Sequence, residues 1–259
     1  MALPGISNAN EFYSAHYLES VLTNDIKKVR ERWGGTIRRD TSFPADATEL
    51  VLSGPHFYVG SPLYKTPRAV CTEKGHNDCR DLTTLPDDYL PRTNYRPDVA
   101  AAEYLARTPR VPWGEKKPVT DFFRVACRRQ LSQAGERTLL PIIAPRGVGH
   151  VDGVLSITID DALTIVKIAG LWSAVPFDFF VKTTGKGDIR NELARQLPLP
   201  SPAEPGLIAL RSRTLALNCL TTHCVDLWSE CWDETFRNQR WAKQDFRLPN
   251  SFFTNLTPT

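Results

Sequence analysis

Val154-Leu-Ser-Ile-Thr-Ile-Asp-Asp-Ala-Leu-Thr-Ile-Val-Lys-Ile-Ala-Gly-Leu-Trp-Ser-Ala174 turns from strand to helix at one acidic doublet. Val154–Ile159 is apolar or β-branched at all but one position, as a buried strand requires. Asp160-Asp161 then presents carboxylates where a helix has unpaired N–H groups. The helix runs to about Ala174 and carries Leu163, Val166, Ala169-Gly170 and Leu171. A strand over Thr138–Ala144 precedes it, joined through Pro145-Arg-Gly-Val-Gly-His150. Short strands beside a capped helix predict an α+β fold.

Downstream, Phe177–Pro200 sets an aromatic block against the cationic Gly185-Lys-Gly187 turn. Arg190, Asn191 and Arg195 follow on or beside a short helix, and Pro198 and Pro200 close the run. An apolar anchor, a basic loop and a polar helix suit a phosphate grip with side chains reaching base edges. Beyond a proline-rich linker, 207–232 reads as one helix. Leu210, Thr214, Leu217, Thr221, Cys224, Leu227 and Cys231 form its stripe at spacings of three and four.

Upstream, 119–132 reads as a helix through Phe122, Phe123 and Val125-Ala126. Prolines crowd 44–118, which predicts irregular chain there after a strand at Glu49–Ser53. A helix over 8–33 is expected from Tyr13, Tyr17 and Val21 at i, i+4 and i+8, with Gly34-Gly35 ending it. The organisation is therefore an N-terminal helical segment (1–33), a mixed body with short strands and long loops (36–200), and a C-terminal helical segment (207–259).

The chain has 259 residues, enough for a substantial core. Its formal charge is only +3, so cations must be clustered if nucleic acid is the partner. No basic stretch leads into an apolar one at the N-terminus, and no apolar run approaches the roughly 18 residues of a membrane span. Six cysteines fall in no regular framework. The expectation is a cytoplasmic protein with reduced thiols and no membrane partner.

Catalytic signatures are scarce. There is no Gly-x-Ser-x-Gly elbow and no Walker phosphate loop. Asp87-Asp88 and Asp160-Asp161 fit turn and capping chemistry. Cys71, His76 and Cys79 lack the paired spacings of structural zinc and read as loop residues, so no metal is expected. Cys219, Cys224 and Cys231 read as small apolar groups in a helix interface.

Basic residues interleaved with aromatics, amides and prolines are the stronger signal. Lys65 and Arg68 occupy one such segment, Arg92, Asn94 and Arg96 another. Arg146 and His150 sit in a glycine turn, and Lys182, Lys186, Arg190 and Asn191 belong to the 177–200 run. These eleven are the candidate DNA contacts: arginine can read guanine and asparagine adenine, while lysines hold phosphate. Loop arginines that clamp neighbouring loops are the competing reading.

Several stretches together resemble a known family. Asn8-Ala-Asn-Glu-Phe-Tyr-Ser-Ala-His-Tyr17 resembles the N-terminus of large class I S-adenosylmethionine-dependent adenine DNA methyltransferases, of the type IIG restriction–modification and phage-defence kind. Leu52–Gly60, Tyr64–Arg68, Asp88–Tyr95, Gly135–Leu139 and Phe177–Pro200 resemble their target-recognition region. Arg213–Thr221 and Asp226-Leu-Trp228 resemble the helical segment that follows. The departures are specific: there is no Asn-Pro-Pro motif and no Phe-x-Gly-x-Gly loop. The family's catalytic domain would fall between Trp33 and Gly34, as in a short relative, a deleted form or part of a longer chain.

The resemblance implies a sequence-specific double-stranded DNA recognition module for adenine methylation in restriction–modification or antiviral defence. Such a module is inert by itself. It implies no cofactor in this chain and S-adenosylmethionine in the parent family. Implied partners are duplex DNA and a methyltransferase catalytic domain or other defence subunits. The alternative is a regulatory subunit that docks through 207–232 and Trp228, Trp232 and Trp241.

Overall fold

A computed structural model describes residues 13–14, 36–57, 63–73, 75–200, 206–243, 245–246 and 252. The fold is α+β. Its strands are β1 (Tyr13–Ser14), β2 (Ile37–Ser42), β3 (Val51–Leu52), β4 (Lys65–Pro67), β5 (Asn77–Cys79), β6 (Thr93–Pro97), β7 (Arg124–Arg128), β8 (Pro141–Ala144), β9 (Gly149–His150) and β10 (Val154–Thr158). Its helices are α1 (Ala101–Arg107), α2 (Ala162–Ser173), α3 (Val175–Thr183), α4 (Asn191–Gln196), α5 (Leu207–Asn218) and α6 (Val225–Cys231).

The central sheet runs β1-β10-β7-β8, antiparallel throughout. Beside it lie an antiparallel β2–β6 ribbon, a parallel β3–β9 pair and a β4–β5 hairpin. Val125, Cys127, Leu155 and Ile157 enter the larger apolar cluster with α2, α3 and the C-terminal helices. Ala126, Ile142, Ala144 and Val154 enter a second cluster with Leu50, Leu52, Phe57 and Leu90. Both faces of β7 and β10 are thus buried, and shortening Leu155 to Ala costs about 2–5 kcal/mol.

That double burial overturns the expected helix at 119–132. Phe122–Arg128 is a near-continuous apolar run because neighbours cover both sides, and such a run carries no period of two to betray the strand. Only a single 3-10 turn, Val119–Asp121, precedes β7. The helix expected over 8–33 is replaced by strand at Tyr13–Ser14, which pairs with Thr158 and Ile157; the rest of that stretch lies outside the described residues. The single helix expected over 207–232 breaks after Asn218 and resumes at Val225. Its stripe breaks too: Leu217 is 69% exposed, whereas Ser212, Thr214 and Leu215 are buried.

Other expectations hold. The Asp161 carboxylate accepts from the Leu163 and Thr164 N–H groups at 3.2 and 3.0 Å and caps α2. β8 and β10 fall within the expected strands, and β3 within Glu49–Ser53. Gly170 permits the close α2–α5 crossing: a Cβ there would lie 2.3 Å from Thr214 Oγ1 and 2.9 Å from Leu210 Cγ. Cys219, Cys224 and Cys231 pack in the main cluster. Cys219 is pushed well above the ordinary thiol range by the adjoining Cys224 thiol and by burial, and burial pushes Cys127 up to about 12.

Asp178 extends the same logic between elements. From inside α3 it accepts from Thr138 N and Leu139 N at 2.8 and 2.6 Å and pairs with Arg137. The donors entering β8 are thereby satisfied by a helix side chain. Among the described residues no single helix is long and apolar enough to cross a membrane.

Candidate functional site

The C-terminal end of β7 organises two neighbouring features. On one side the 184–190 loop is tied down: Ile189 N donates to Arg129 O and Leu131 N to Gly187 O, each at 2.8 Å. Gln133 Nε2 adds a bond to Lys186 O at 2.9 Å. On the other side lies a polar cleft of about 660 Å³. Its walls come from the β2–β6 ribbon (Arg39, Asn94, Tyr95), the β4–β5 hairpin (Cys71, Thr72, Glu73, Asn77) and the end of β7 (Arg128, Arg129, Gln130). Ser53–Pro55 and Val151–Gly153 complete it.

Local structure explains these positions. Arg39 and Tyr95 are register partners across the antiparallel ribbon, so both side chains emerge on one face. Arg128 shares a face of β7 with Arg124 and Ala126, since side chains alternate along a strand. Arg39 Nη2 donates to the Cys71 carbonyl at 3.0 Å, which closes the hairpin against the ribbon. Arg129 is fully committed: it pairs with Asp152 at 3.3 Å and Asp188 at 3.0 Å, and its Nε donates to Asp152 O at 2.7 Å.

Arg128 is the contrast. It is half-buried in the cleft wall, yet among the described residues its guanidinium makes no hydrogen bond or ion pair. A guanidinium carries five donors and is costly to shield from water without acceptors. The half-buried Tyr95 ring likewise makes no ring contact, and its hydroxyl no hydrogen bond, among the described residues. Arginine and tyrosine together are the side chains that hold anions and stack on planar ligands.

The expected DNA contacts separate into groups. Lys186 and Arg190 lie exposed on the tied loop, Arg190 beside Asp188 at 3.6 Å. Asn94 is in the cleft wall, 8% exposed, with its Oδ1 accepting from Thr41 at 3.0 Å. Asn191 begins α4, and its Oδ1 is buried with no hydrogen-bond partner. Lys65 stands in β4, and Arg68 next to it pairs with Asp78 at 2.7 Å. These residues adjoin the cleft or the loop.

The others are absorbed by the fold. Lys182 donates to Gly135 O at 3.0 Å. Arg96 pairs with Glu49 and Asp40, and Arg92 lies over the Phe43 ring at 4.2 Å. Arg146 sits over Phe123 at 4.7 Å and pairs with Asp226 at 2.9 Å, bracing α6. His150 is 3% exposed, its Nε2 2.7 Å from Ser156 Oγ, a core residue and not a surface contact. The clamping reading of loop arginines therefore describes Arg92, Arg96 and Arg146.

The aromatic docking segment is also largely internal. Trp228 and Trp232 pack against the main cluster, and Trp228 Nε1 donates to Cys219 O at 3.0 Å. Arg39, Tyr95 and Arg128 are not among the eleven candidates that the sequence alone offers. The Arg128-Arg129-Gln130 triplet, polar directly after an apolar run, was the available signal, and its reading as helix concealed it. Cys71, His76 and Cys79 form no site: among the described residues no group of three or more His, Cys, Asp or Glu could hold a metal. Comparison with known proteins yields no match: no family model, no curated protein and no solved structure is similar to this chain.

Proposed function

We propose that the chain is a double-stranded DNA recognition module without a reaction centre of its own, serving adenine methylation in restriction–modification or phage defence. The observation that carries the DNA reading is the uncommitted Arg128 guanidinium beside Tyr95 and Arg39, flanked by exposed Lys186 and Arg190. Methyl transfer and S-adenosylmethionine belong, on this reading, to a separate catalytic domain; that assignment rests on the family resemblance alone. The β2–β6 ribbon is of the kind that a DNA major groove admits.

The test is fluorescence anisotropy of a labelled duplex library against ionic strength. Log K should fall with log salt by about 0.9 per phosphate neutralised. Binding that ignores salt, or no binding even at low salt, would overturn the reading. Within the module, Lys186→Ala should weaken all sequences alike, whereas Arg190→Ala and Asn191→Ala should alter sequence preference.

A second reading, a docking subunit, is favoured by one observation: α3 exposes Val175 at 68%, Phe179 at 66% and Phe180 at 40%. Contiguous apolar surface of this kind marks interaction sites. Light scattering with and without DNA separates the two readings, since a docking subunit self-associates or captures protein without DNA.

A further inference from the structure

We infer that the cleft at the end of β7 is a pocket for a single nucleoside 5′-monophosphate, free or at the 5′ end of a strand. The choice of ligand rests on the nucleic-acid reading of this face. The pocket's size and its two unspent recognition groups, Arg128 and Tyr95, carry the rest.

A volume of about 660 Å³ lies within the range of small-ligand sites, and it admits one nucleotide but no segment of duplex. The interior therefore serves something smaller than a duplex, while a duplex is met by Arg128 together with Lys186 and Arg190 on the rim. Inside, Arg128 comes from β7 and Arg39 from β2, so two guanidiniums reach the same space from different walls. Glu73 and Asp152 are also in the wall, but Asp152 is taken by Arg129, and the Glu73 side chain is 77% exposed and approached by His76 at 3.8 Å. Two arginines suit the doubly charged terminal phosphate better than a singly charged diester.

Tyr95 supplies the other half. Its ring stands opposite Arg39 in the ribbon register and has no aromatic neighbour among the described residues. Base-on-tyrosine stacking tolerates any base. Asn94 and Asn77 stand in the same wall and add amide groups of the type that bond base edges.

The experiment is calorimetric titration of the full chain with deoxynucleoside 5′-monophosphates, the matching nucleosides and inorganic phosphate. A parallel titration uses short single strands with a 5′-phosphate or a 5′-hydroxyl. The expected result is binding of the monophosphates at least 10-fold tighter than the nucleosides. Arg128→Ala should abolish that advantage, and Arg128→Lys should retain part of it. Tyr95→Ala should weaken monophosphates 10-fold while leaving inorganic phosphate unchanged. A preference for 5′-phosphorylated strands over free monophosphates assigns the pocket to strand ends, and the reverse assigns it to the free nucleotide.

Equal affinity for nucleoside and monophosphate, no monophosphate binding, or indifference to Arg128→Ala overturns the inference. Salt-dependent duplex binding alongside any of these leaves the DNA module standing without the pocket. Monophosphate binding that needs Arg128, with no duplex binding, retains the pocket and removes the DNA module.

Discussion

The two ends of β7 each place an arginine on the same face of the strand, and they differ in everything else. Arg124 is fully buried; it donates to the Val148 carbonyl and lies 3.4 Å from Ser156 Oγ, which His150 also contacts. Arg128, four residues on, is half-buried beside a cleft and makes no bond or ion pair among the described residues. One guanidinium is consumed by the fold and the other is left uncommitted among the described residues. Residue type and strand face are shared, so the environment at each strand end decides the role.

The most severe break of that comparison is Arg124→Ala. It leaves buried polar groups unsatisfied and opens a cavity, so urea denaturation should show a loss of about 3–5 kcal/mol. Arg128→Ala in the same assay should move stability by less than about 0.5 kcal/mol. Equal losses at both ends would erase the distinction between the two arginines.

Next in size is the effect of Arg128→Ala on duplex binding, about 1–3 kcal/mol if the guanidinium makes a bidentate contact. Arg124 variants that remain folded should bind like the parent chain. A wild-type affinity for Arg128→Ala removes the arginine from the interface.

A smaller effect concerns acid. His56 is fully buried, its Nδ1 accepting from Ser53 N at 3.0 Å and its Nε2 bonding Arg92 O at 2.8 Å. Burial holds its pKa below the ordinary 6.5 despite those bonds. The unfolded chain therefore binds the proton more readily, so stability is complete above about pH 6.5 and declines as pH falls towards the folded value. Denaturation midpoints between pH 7.5 and 5 should fall for the parent chain and fall less for His56→Gln. Parallel slopes would assign the acid sensitivity elsewhere.

The smallest effect is Lys186→Ala, which should reduce the salt slope of duplex binding by about 0.9 and leave stability unchanged. An unchanged slope would place the 184–190 loop away from the DNA.

Much of the frame was readable because its signals are local. The Asp161 cap, the small Ala169-Gly170 pair and the strands at β8 and β10 each declare themselves within a few residues. β7 did not, since strand and helix look alike when both faces of the element are covered. The break between α5 and α6 falls at Cys219-Leu-Thr-Thr222, with no glycine or proline to mark it. The cleft was the least legible part: Arg39, Tyr95 and Arg128 meet only through β2–β6 pairing and a strand read as helix. Lys186 and Arg190 were visible because the glycines beside Lys186 announce an exposed turn. The fold-absorbed Arg96 and Arg146 look no different in sequence, because their acidic partners Glu49 and Asp226 lie 47 and 80 residues away.

Arg129 has a consequence of another kind. One guanidinium holds Asp152 in the cleft wall and Asp188 in the basic loop. Both carboxylates meet on this one cation, although Asp188 also lies 3.6 Å from Arg190. A ligand that drew Arg129 away from Asp152 would alter the hold on the loop, and by linkage a partner that fixed the loop would alter the cleft by the same free energy. The cleft and the 184–190 loop thus share one anchor, a residue that need touch no ligand for the two to be linked.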